Sequence, residues 1–554
     1  MTLKKLTLPE LLKTSCSKLS LNFVASGKKT YQDLYNEVVS IANHLLHLGV
    51  KKGDKVAILS ANMPNWGITQ FAIANIGAIA VPVLPGFCST ELQNILEHAE
   101  VKVIFVSRLL AKCLEGVKTP FLEHKILINN FSTIPEGCYQ PEELDKLVPD
   151  ISLNNTTPLP EVSIEEEDIA SIIYTSGTTG FSKGVVLTHK NLVWDARQCH
   201  TIQPVDETYR FLSILPMAHT YENTLGLLLP LMFGAQVYYL DRVPTPKLLV
   251  PAMQKIRPTV VLSVPLIIEK IYKSQVLPKF TSSKLMSKLY QFAPARKLFN
   301  RLAGKKLMET FGGELKFFGI GGSKLDGTVE QFLREAKFPY AIGYGLTETA
   351  PMAAGSNPSQ TFLQGVGPVM EGVQIKINDP DKSGQGEIWI KGPNVMKGYY
   401  KRPELTAETF TEDGWFKTGD LGSFDKKNRL AIRGRIKTMI LGASGENIYP
   451  EEIESIINNF RFVNESLVVE NSGKLVAMVH FNMEELEKQY QKLKDQAGNY
   501  KEKINDYIEE QKQELRDYVN ARVNNFSKLQ LVLVQHEPFE KTPTHKIKRF
   551  LYCK

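Results

Sequence analysis

The sequence predicts an α/β fold, and three observations carry that expectation. Short runs rich in β-branched residues recur along the chain, among them 55–59, 102–106 and 259–263. Helical stretches alternate with them, and the runs are almost wholly apolar, as strands covered on both faces must be. The length of 554 residues, at roughly 150 per domain, allows three or four compact units or one large domain with a smaller appendage.

Taken in chain order, the first clear element is a helix over 30–48. Thr30 caps it, Tyr31, Leu34, Val38, Ile41, Leu45 and Leu48 share one face, and Gly49 ends it. Residues 56–90 carry no charge and are long enough for a membrane span, but Asn62, Pro64, Asn65, Gln70, Asn75, Pro82 and Pro85 interrupt them. A buried helix plus strand fits those breakers better. Residues 151–168 are polar, Pro-containing and acidic, which reads as a surface connection into the next strand. Between 273 and 306 the chain holds nine Lys/Arg and no Asp/Glu, interleaved with Leu285, Leu289, Phe292, Leu298, Phe299 and Leu302. Two readings compete there: a solvated basic face on ordinary helices, favoured because Pro294 interrupts any long amphipathic helix, and peripheral contact with anionic headgroups at the inner face of a membrane. Residues 484–525 are rich in Glu, Lys and Gln with apolar residues at helical spacing, which predicts one or two amphipathic helices broken near Gly498 and Asn499. With fewer than four clean heptads they are expected to pack on the protein's own surface and not as a coiled coil.

Composition removes several classes of function. Hydrophobic residues make up 43% and charged residues 23%, so neither a disordered nor a fibrous chain is indicated. Sixty-six Lys+Arg against 59 Asp+Glu give a net charge of +7, too mild for a dedicated nucleic-acid binder and compatible with anionic ligands. The six cysteines form no CxxC pair and have no metal-ligand spacing, which fits a reducing, cytoplasmic setting. The first twenty residues lack the continuous apolar core and small-residue cleavage site of a signal peptide.

The densest chemical signal lies between residues 172 and 189. Thr175, Ser176, Gly177, Thr178, Thr179, Gly180, Ser182, Lys183 and Gly184 separate two strand-like runs. Glycines let backbone N–H groups converge on one anion, hydroxyls add donors and Lys183 adds charge, a set suited to a polyphosphate. It is not a Walker loop, because that motif opens a helix, whereas residues 184–187 read as a strand.

The segment YTSGTTGFSKG (174–184) resembles the phosphate-binding signature of the adenylate-forming superfamily, which comprises acyl-CoA synthetases, amino-acid adenylation domains and luciferases. Further segments resemble its signatures in the same order: LPMAHTYE (215–222), GYGLTET (343–349), GWFKTGDL (414–421), GRIK (434–437), GENIYPEEIE (445–454) and TPTHKIKR (542–549). The likeness runs from about residue 20 to the C-terminus and is strongest to long-chain fatty-acid CoA ligases.

What the resemblance implies is a two-step chemistry. A carboxylate is a poor electrophile, so ATP converts it to an acyl-AMP with release of pyrophosphate, and coenzyme A then takes the acyl group. The first step puts negative charge on the α-phosphate, which Mg²⁺ and fixed cations must stabilise. Carried over residue by residue, Glu348 matches the Mg²⁺ ligand, with Thr175 a second one, and residues 175–180 with Lys183 match the phosphate loop. Tyr344 offers a flat face for adenine, with Gly345 and Thr347 of the same motif at the nucleotide. Asp420 matches the group that accepts both ribose hydroxyls, with Arg435 its companion. Gly321 and Gly322, after a strand at 315–318, let backbone approach adenine and the substrate carboxylate. His219 matches the residue near the acyl carboxylate, and Lys546 the terminal catalytic lysine, although His545 stands where many members have Gly. Lys437 matches the hinge about which a mobile C-terminal domain rotates.

Amino-acid adenylation domains carry an Asp in the 218–221 region to pair with the substrate ammonium; this chain has none, which disfavours an α-amino substrate. Residues 225–233 and 257–265 resemble long-chain fatty-acid ligases, consistent with an apolar tunnel. The expected architecture is therefore a large multi-sheet α/β domain over 1–433 that binds ATP and the acyl group, and a smaller mobile α+β domain over 434–554. The expected activity is fatty-acid:CoA ligation. The alternatives are loading an acyl carrier protein or activating an aryl acid, and a catalytically silent nucleotide- or lipid-binding module.

Overall fold

The computed structural model describes residues 2–19, 23–26, 28–151, 153, 157–175, 182–240, 244–281, 283–441, 447–471, 473–493, 500–543 and 546–553. Two eight-stranded sheets dominate it. In one, Lys55–Leu59 lies between Ile79–Val83 and Val101–Val106, all parallel, with Ile169–Thr175 next to Ile79–Val83, Lys183–Thr188 turning back antiparallel beside it and the two-residue strand Gly398–Tyr399 at the edge. In the other, Arg210–Ser213, Val260–Ser263, Phe317–Ile320 and Tyr340–Gly345 run parallel, closed by antiparallel Met352–Gly355. The β-branched runs are buried on both faces, as the sequence pattern requires.

The local expectations hold where the chain carries explicit signals. Thr30 caps the helix Tyr31–His47 in a reciprocal capping box with Asp33. The uncharged stretch at 56–90 divides into strand Lys55–Leu59, buried helix Pro64–Asn75 and buried strand Ile79–Val83. Among the described residues no helix is long and apolar enough to cross a membrane. One strand is displaced from its expected place: it runs Phe317–Ile320 and not 315–318, because the parallel ladder starts with Val260 opposite Phe317. Gly321 therefore follows the strand end directly.

A four-stranded antiparallel sheet of Gln374–Asn378, Gly386–Lys391, Phe416–Phe424 and Leu430–Arg435 leads toward the C-terminal part. The expected boundary after Arg433 falls inside its last strand, where Gly434 and Arg435 still pair with Leu421 and Asp420. Beyond it, Val463–Asn471, Lys474–Phe481 and Leu531–Val534 form a three-stranded sheet. Its core, including Ile453, Ile457, Val468, Ala477, Leu515 and Val519, is separate from the larger N-terminal clusters. The charged stretch forms helices Met483–Leu493 and Tyr500–Asn520, whose Leu486, Tyr490, Leu515 and Val519 are buried; Gly498 and Asn499 lie outside the described residues. Lys324 is ion-paired with Glu452 at 2.8 Å, and Ser455 Oγ donates to Asp326 Oδ2 at 3.3 Å. The loop holding Gly86 touches Pro543 so closely that a Cβ on Gly86 would stand 3.0 Å from the proline Cα. These contacts seat the C-terminal part over the ends of the sheet strands.

Candidate functional site

The polar part of the site is built where strands end. Strand Ile169–Thr175 pairs antiparallel with Lys183–Thr188, so Thr175 and Lys183 face each other across the mouth of the Gly/Ser/Thr loop. Residues 184–187 are strand and the next helix starts only at His189, as expected for a loop unlike Walker's. Ser176, Gly177, Thr178, Thr179 and Gly180 lie outside the described residues. Lys183 Nζ sits 5.2 Å from the centre of the Tyr399 ring. Burial first and the charge of Lys437 second hold its ammonium below the usual value, with Glu348 and Glu408 opposing them.

Glu348 stands on a short turn, Thr347–Thr349, after strand Tyr340–Gly345. Its Oε1 accepts a 2.9 Å bond from the Tyr399 hydroxyl, and its carbonyl accepts one from Met396 N at 2.8 Å. The turn needs Gly345 beside it: a Cβ there would lie 1.7 Å from the Pro351 carbonyl oxygen.

One residue before that glycine, the buried Tyr344 hydroxyl donates to Asp420 Oδ2 at 2.9 Å. Asp420 lies opposite Arg435 in the ladder, and the guanidinium meets Oδ1 at 2.8 Å. Burial raises the Asp420 carboxyl above its ordinary value, while Arg435, Tyr344 and Lys546 pull it back. Each of its oxygens keeps a lone pair for a ligand hydroxyl.

Lys546 reaches this cluster from the C-terminal part. Solvent can touch it, yet protein surrounds it; that burial and Arg435 depress its ammonium, while Asp420 and Glu348 act to raise it. Its N–H donates to Thr542 Oγ1 at 3.2 Å, and its carbonyl accepts from Thr542 N at 2.8 Å, which holds the turn. Lys437 lies on the exposed turn Ile436–Thr438, tied down by a 2.6 Å bond from Thr438 Oγ1 to Glu451.

His219 caps the turn Thr220–Glu222, its Nδ1 accepting from Tyr221 N at 3.2 Å. Burial, with the Lys546 charge behind it, lowers the imidazole to about 4, so the ring is neutral near pH 7. The chain continues as a π-helical stretch, Asn223–Leu228, and an α-helical one, Leu229–Phe233. Leu225 and Leu229 form one wall of a narrow apolar cavity of about 40 Å³. Helix His189–Ile202 supplies Cys199 and Ile202, and the sheet supplies Phe317, Gly319, Ile342 and Gly343. Among the described residues no charged side chain lines it. At its upper end Gly321 lies against Tyr221, where a Cβ would stand 3.3 Å from the ring, and Gly322 has φ +88°, which suits glycine.

The structure thus brings together Thr175, Lys183, Glu348, Tyr344, Gly345, Asp420, Arg435 and Lys546, with His219 and Gly321 toward the cavity. Sequence reasoning missed Tyr399, which touches both Glu348 and Lys183. Only a two-residue strand pairing places it there, opposite Val185. It also passed over Glu222. The sequence supplies an acid just beyond His219, but its Oε1 accepts from Ser213 Oγ at 2.6 Å and it does not line the cavity. The absence of an anion for an α-amino group therefore survives the presence of that glutamate.

With this geometry in view, likenesses to known proteins gain their meaning. Residues 12–400 match the family described as AMP-binding enzyme. A long-chain-fatty-acid–CoA ligase of Drosophila melanogaster, heimdall, is 30% identical over 81% of this chain and 72% of its own. Fatty acyl-CoA synthetase A of Dictyostelium discoideum is 26% identical over 95% and 85%. The crystal structure of ATP-bound MatB from Rhodopseudomonas palustris superposes with a TM-score of 0.74 at 22% identity, covering 99% of this chain and 98% of that one, a likeness of fold.

Proposed function

This chain belongs to the AMP-binding enzyme family, and from that premise we propose that it is an ATP-dependent fatty-acid:CoA ligase working through an acyl-AMP. One observation carries the reading: a single strand, Tyr340–Gly345, presents Ile342 and Gly343 to an uncharged apolar cavity and Tyr344 to the Asp420 carboxylate. An acyl tail and a nucleotide bound at those two places would meet at the strand end.

In the first step a carboxylate oxygen attacks the α-phosphorus of ATP and pyrophosphate leaves. Lys546 stabilises the charge that accumulates between carboxylate and phosphate, and Lys183 with the loop over 175–180 holds the departing phosphates. Asp420 orients the ribose and Tyr344 the adenine. Oxygen donors suit a hard cation, so Glu348, steadied by Tyr399, and Thr175 would hold Mg²⁺, which neutralises phosphate charge. The neutral His219 lies near the acyl carboxylate without competing for it as a cation. In the second step the thiol sulfur of coenzyme A attacks the acyl carbon and AMP leaves. Lys546 must first withdraw, so the part of the chain beyond Lys437 turns about that residue as a mobile domain, while Gly434 and Arg435 stay in the sheet. Lys437→Pro, which restricts φ there, is expected to spare acyl-dependent pyrophosphate release more than thioester formation; equal loss of both would remove the hinge from this scheme.

The test is pyrophosphate release across carboxylates of graded chain length, with and without coenzyme A. Release that needs ATP, Mg²⁺ and a fatty acid, with thioester formed only when coenzyme A is added, is the expected result. Thioester formed on a carrier protein but not on coenzyme A would shift the acceptor. Baseline pyrophosphate–ATP exchange with every fatty acid would sink the proposal.

A further inference from the structure

Helices Lys284–Gln291 and Ala293–Thr310 pack against each other as a hairpin joined at Phe292. Its inner side is ordinary core: Met286, Tyr290, Phe299 and Ala303 pack on the cluster around Phe280, Phe332 and Tyr272. Arg296 grips Glu335 with both Nε and Nη2, and Asn300 donates to the same carboxylate at 2.8 Å, which locks the longer helix to helix Gly327–Glu335.

The outer side is unlike a solvated helix face. Leu285 is 69% exposed, Leu289 40%, Phe292 63%, Leu298 58% and Leu302 61%. Five of the eighteen large apolar side chains exposed among the described residues thus fall between 285 and 302. Positions 285, 289 and 292 form one helical stripe, and 298 and 302 another. Lys288, Lys297, Arg301, Lys305 and Lys306 are exposed around them. Among the described residues no acidic side chain forms an ion pair with any of these five, although Arg296, which points inward, has Glu335. Both readings of this segment foresaw exposed bases; the difference is that large apolar side chains face water beside them while a separate apolar set fills the core.

We propose that the outer face of the 284–310 hairpin is a docking surface for an anionic lipid bilayer, the leucines and Phe292 entering the acyl boundary while the lysines and Arg301 meet phosphate headgroups. Apolar burial plus attraction to anionic lipid is what holds an interfacial helix. A second copy of this chain is a poor occupant, because a two-fold contact would set the same unpaired cations against themselves. The surface does not depend on the ligase reading, which supplies its use: a fatty acid partitions into bilayers, and an enzyme lying on one meets its substrate there.

The test is co-sedimentation of the full chain with vesicles of phosphatidylcholine, with and without phosphatidylglycerol. The parent protein is expected on the anionic vesicles only. The triple variant Lys297→Glu/Arg301→Glu/Lys305→Glu should lose at least about tenfold in vesicle affinity. Leu285→Ser/Phe292→Ser/Leu298→Ser should leave only binding that added salt abolishes. These side chains are exposed, so unchanged melting temperatures check folding. Equal binding by parent and both variants, binding to neutral vesicles alone, or no vesicle binding at all would overturn the proposal, the last also if the apolar variant instead dissolves a dimer. Pyrophosphate release with a water-soluble acid, run on the same proteins, separates the two claims: vesicle binding without release refutes the ligase and not the surface, and release without vesicle binding refutes the surface and not the ligase.

Discussion

The nucleotide side of the site and the acyl cavity share one strand and obey different physics. On the nucleotide side polar side chains meet one another in defined pairs: Tyr344 with Asp420, Asp420 with Arg435, Tyr399 with Glu348. A phosphate or ribose accepts few chemical substitutes, so identities there are tightly constrained. In the cavity, Leu225, Leu229, Ile202 and Ile342 contribute shape alone, and many apolar residues would give a similar wall. Loss of one group should therefore fall steeply on the first side and gradually on the second.

The steepest test is Lys546→Ala. It is expected to lose roughly 10²–10³-fold in acyl-dependent pyrophosphate release, the range for removing one preorganised charge-stabilising group. Near-normal release would break the contrast at its strongest point. Tyr399→Phe removes only the hydroxyl on Glu348, and loss of such an outer partner weakens metal affinity about tenfold or more. Titration of Mn²⁺ into the ATP-loaded protein, followed by electron paramagnetic resonance, reads that affinity without turnover; an unchanged value would leave Tyr399 a packing residue.

In the cavity the effect should be graded. Leu229→Trp fills space at the wall, and each methylene shut out forfeits about 0.8 kcal/mol, roughly fourfold in selectivity. The ratio of activities between long and short acids should drop stepwise with chain length, with ATP affinity unaltered. A uniform loss for all acids would mean the side chain disturbs the nucleotide side instead.

The smallest effect concerns the glutamate that lies between the two regions. Burial lifts Glu222 from the ordinary 4.5 to about 8, against the bond from Ser213. A carboxyl raised in the folded chain contributes stability that is present below 4.5 and is lost as pH climbs through about 8. Glu222→Gln removes this term. Its melting temperature relative to the parent should therefore rise with pH over that window, by an amount on the order of 2 °C. A difference that stays flat with pH would show that the carboxyl is ionised in place.

Legibility followed the same division. The Thr30 cap and the facing pair Thr175 and Lys183 carry their signals within a few residues, and the structure places them at a helix start and across one ladder position; Thr418, Gly419 and Asp420 lie within the strand Phe416–Phe424 and not in a separate turn. Tyr399 carries none, because its partner Glu348 is 51 positions away in the chain. Glu222 is ambiguous in sequence for a related reason: whether its carboxyl faces the cavity or Ser213 depends on Asn62, which donates to Ser213 Oγ at 2.8 Å and to the Leu215 carbonyl at 2.6 Å. In the basic stretch at 273–306 the exposed charge was legible and the exposed apolar side chains were not, since helical spacing alone does not tell which of two apolar stripes is turned inward.

By itself the sequence determined the α/β class, the caps and breakers that bound its elements, and the polar groups a nucleotide requires, because those are local demands of backbone and functional chemistry. Tertiary structure alone decided that Tyr399 steadies Glu348, that Glu222 turns from the cavity, how wide that cavity is, and that Leu285, Phe292 and Leu298 face outward. These are outcomes of packing between distant segments, where the free energy depends on shape and burial shared by many residues and no short motif records it.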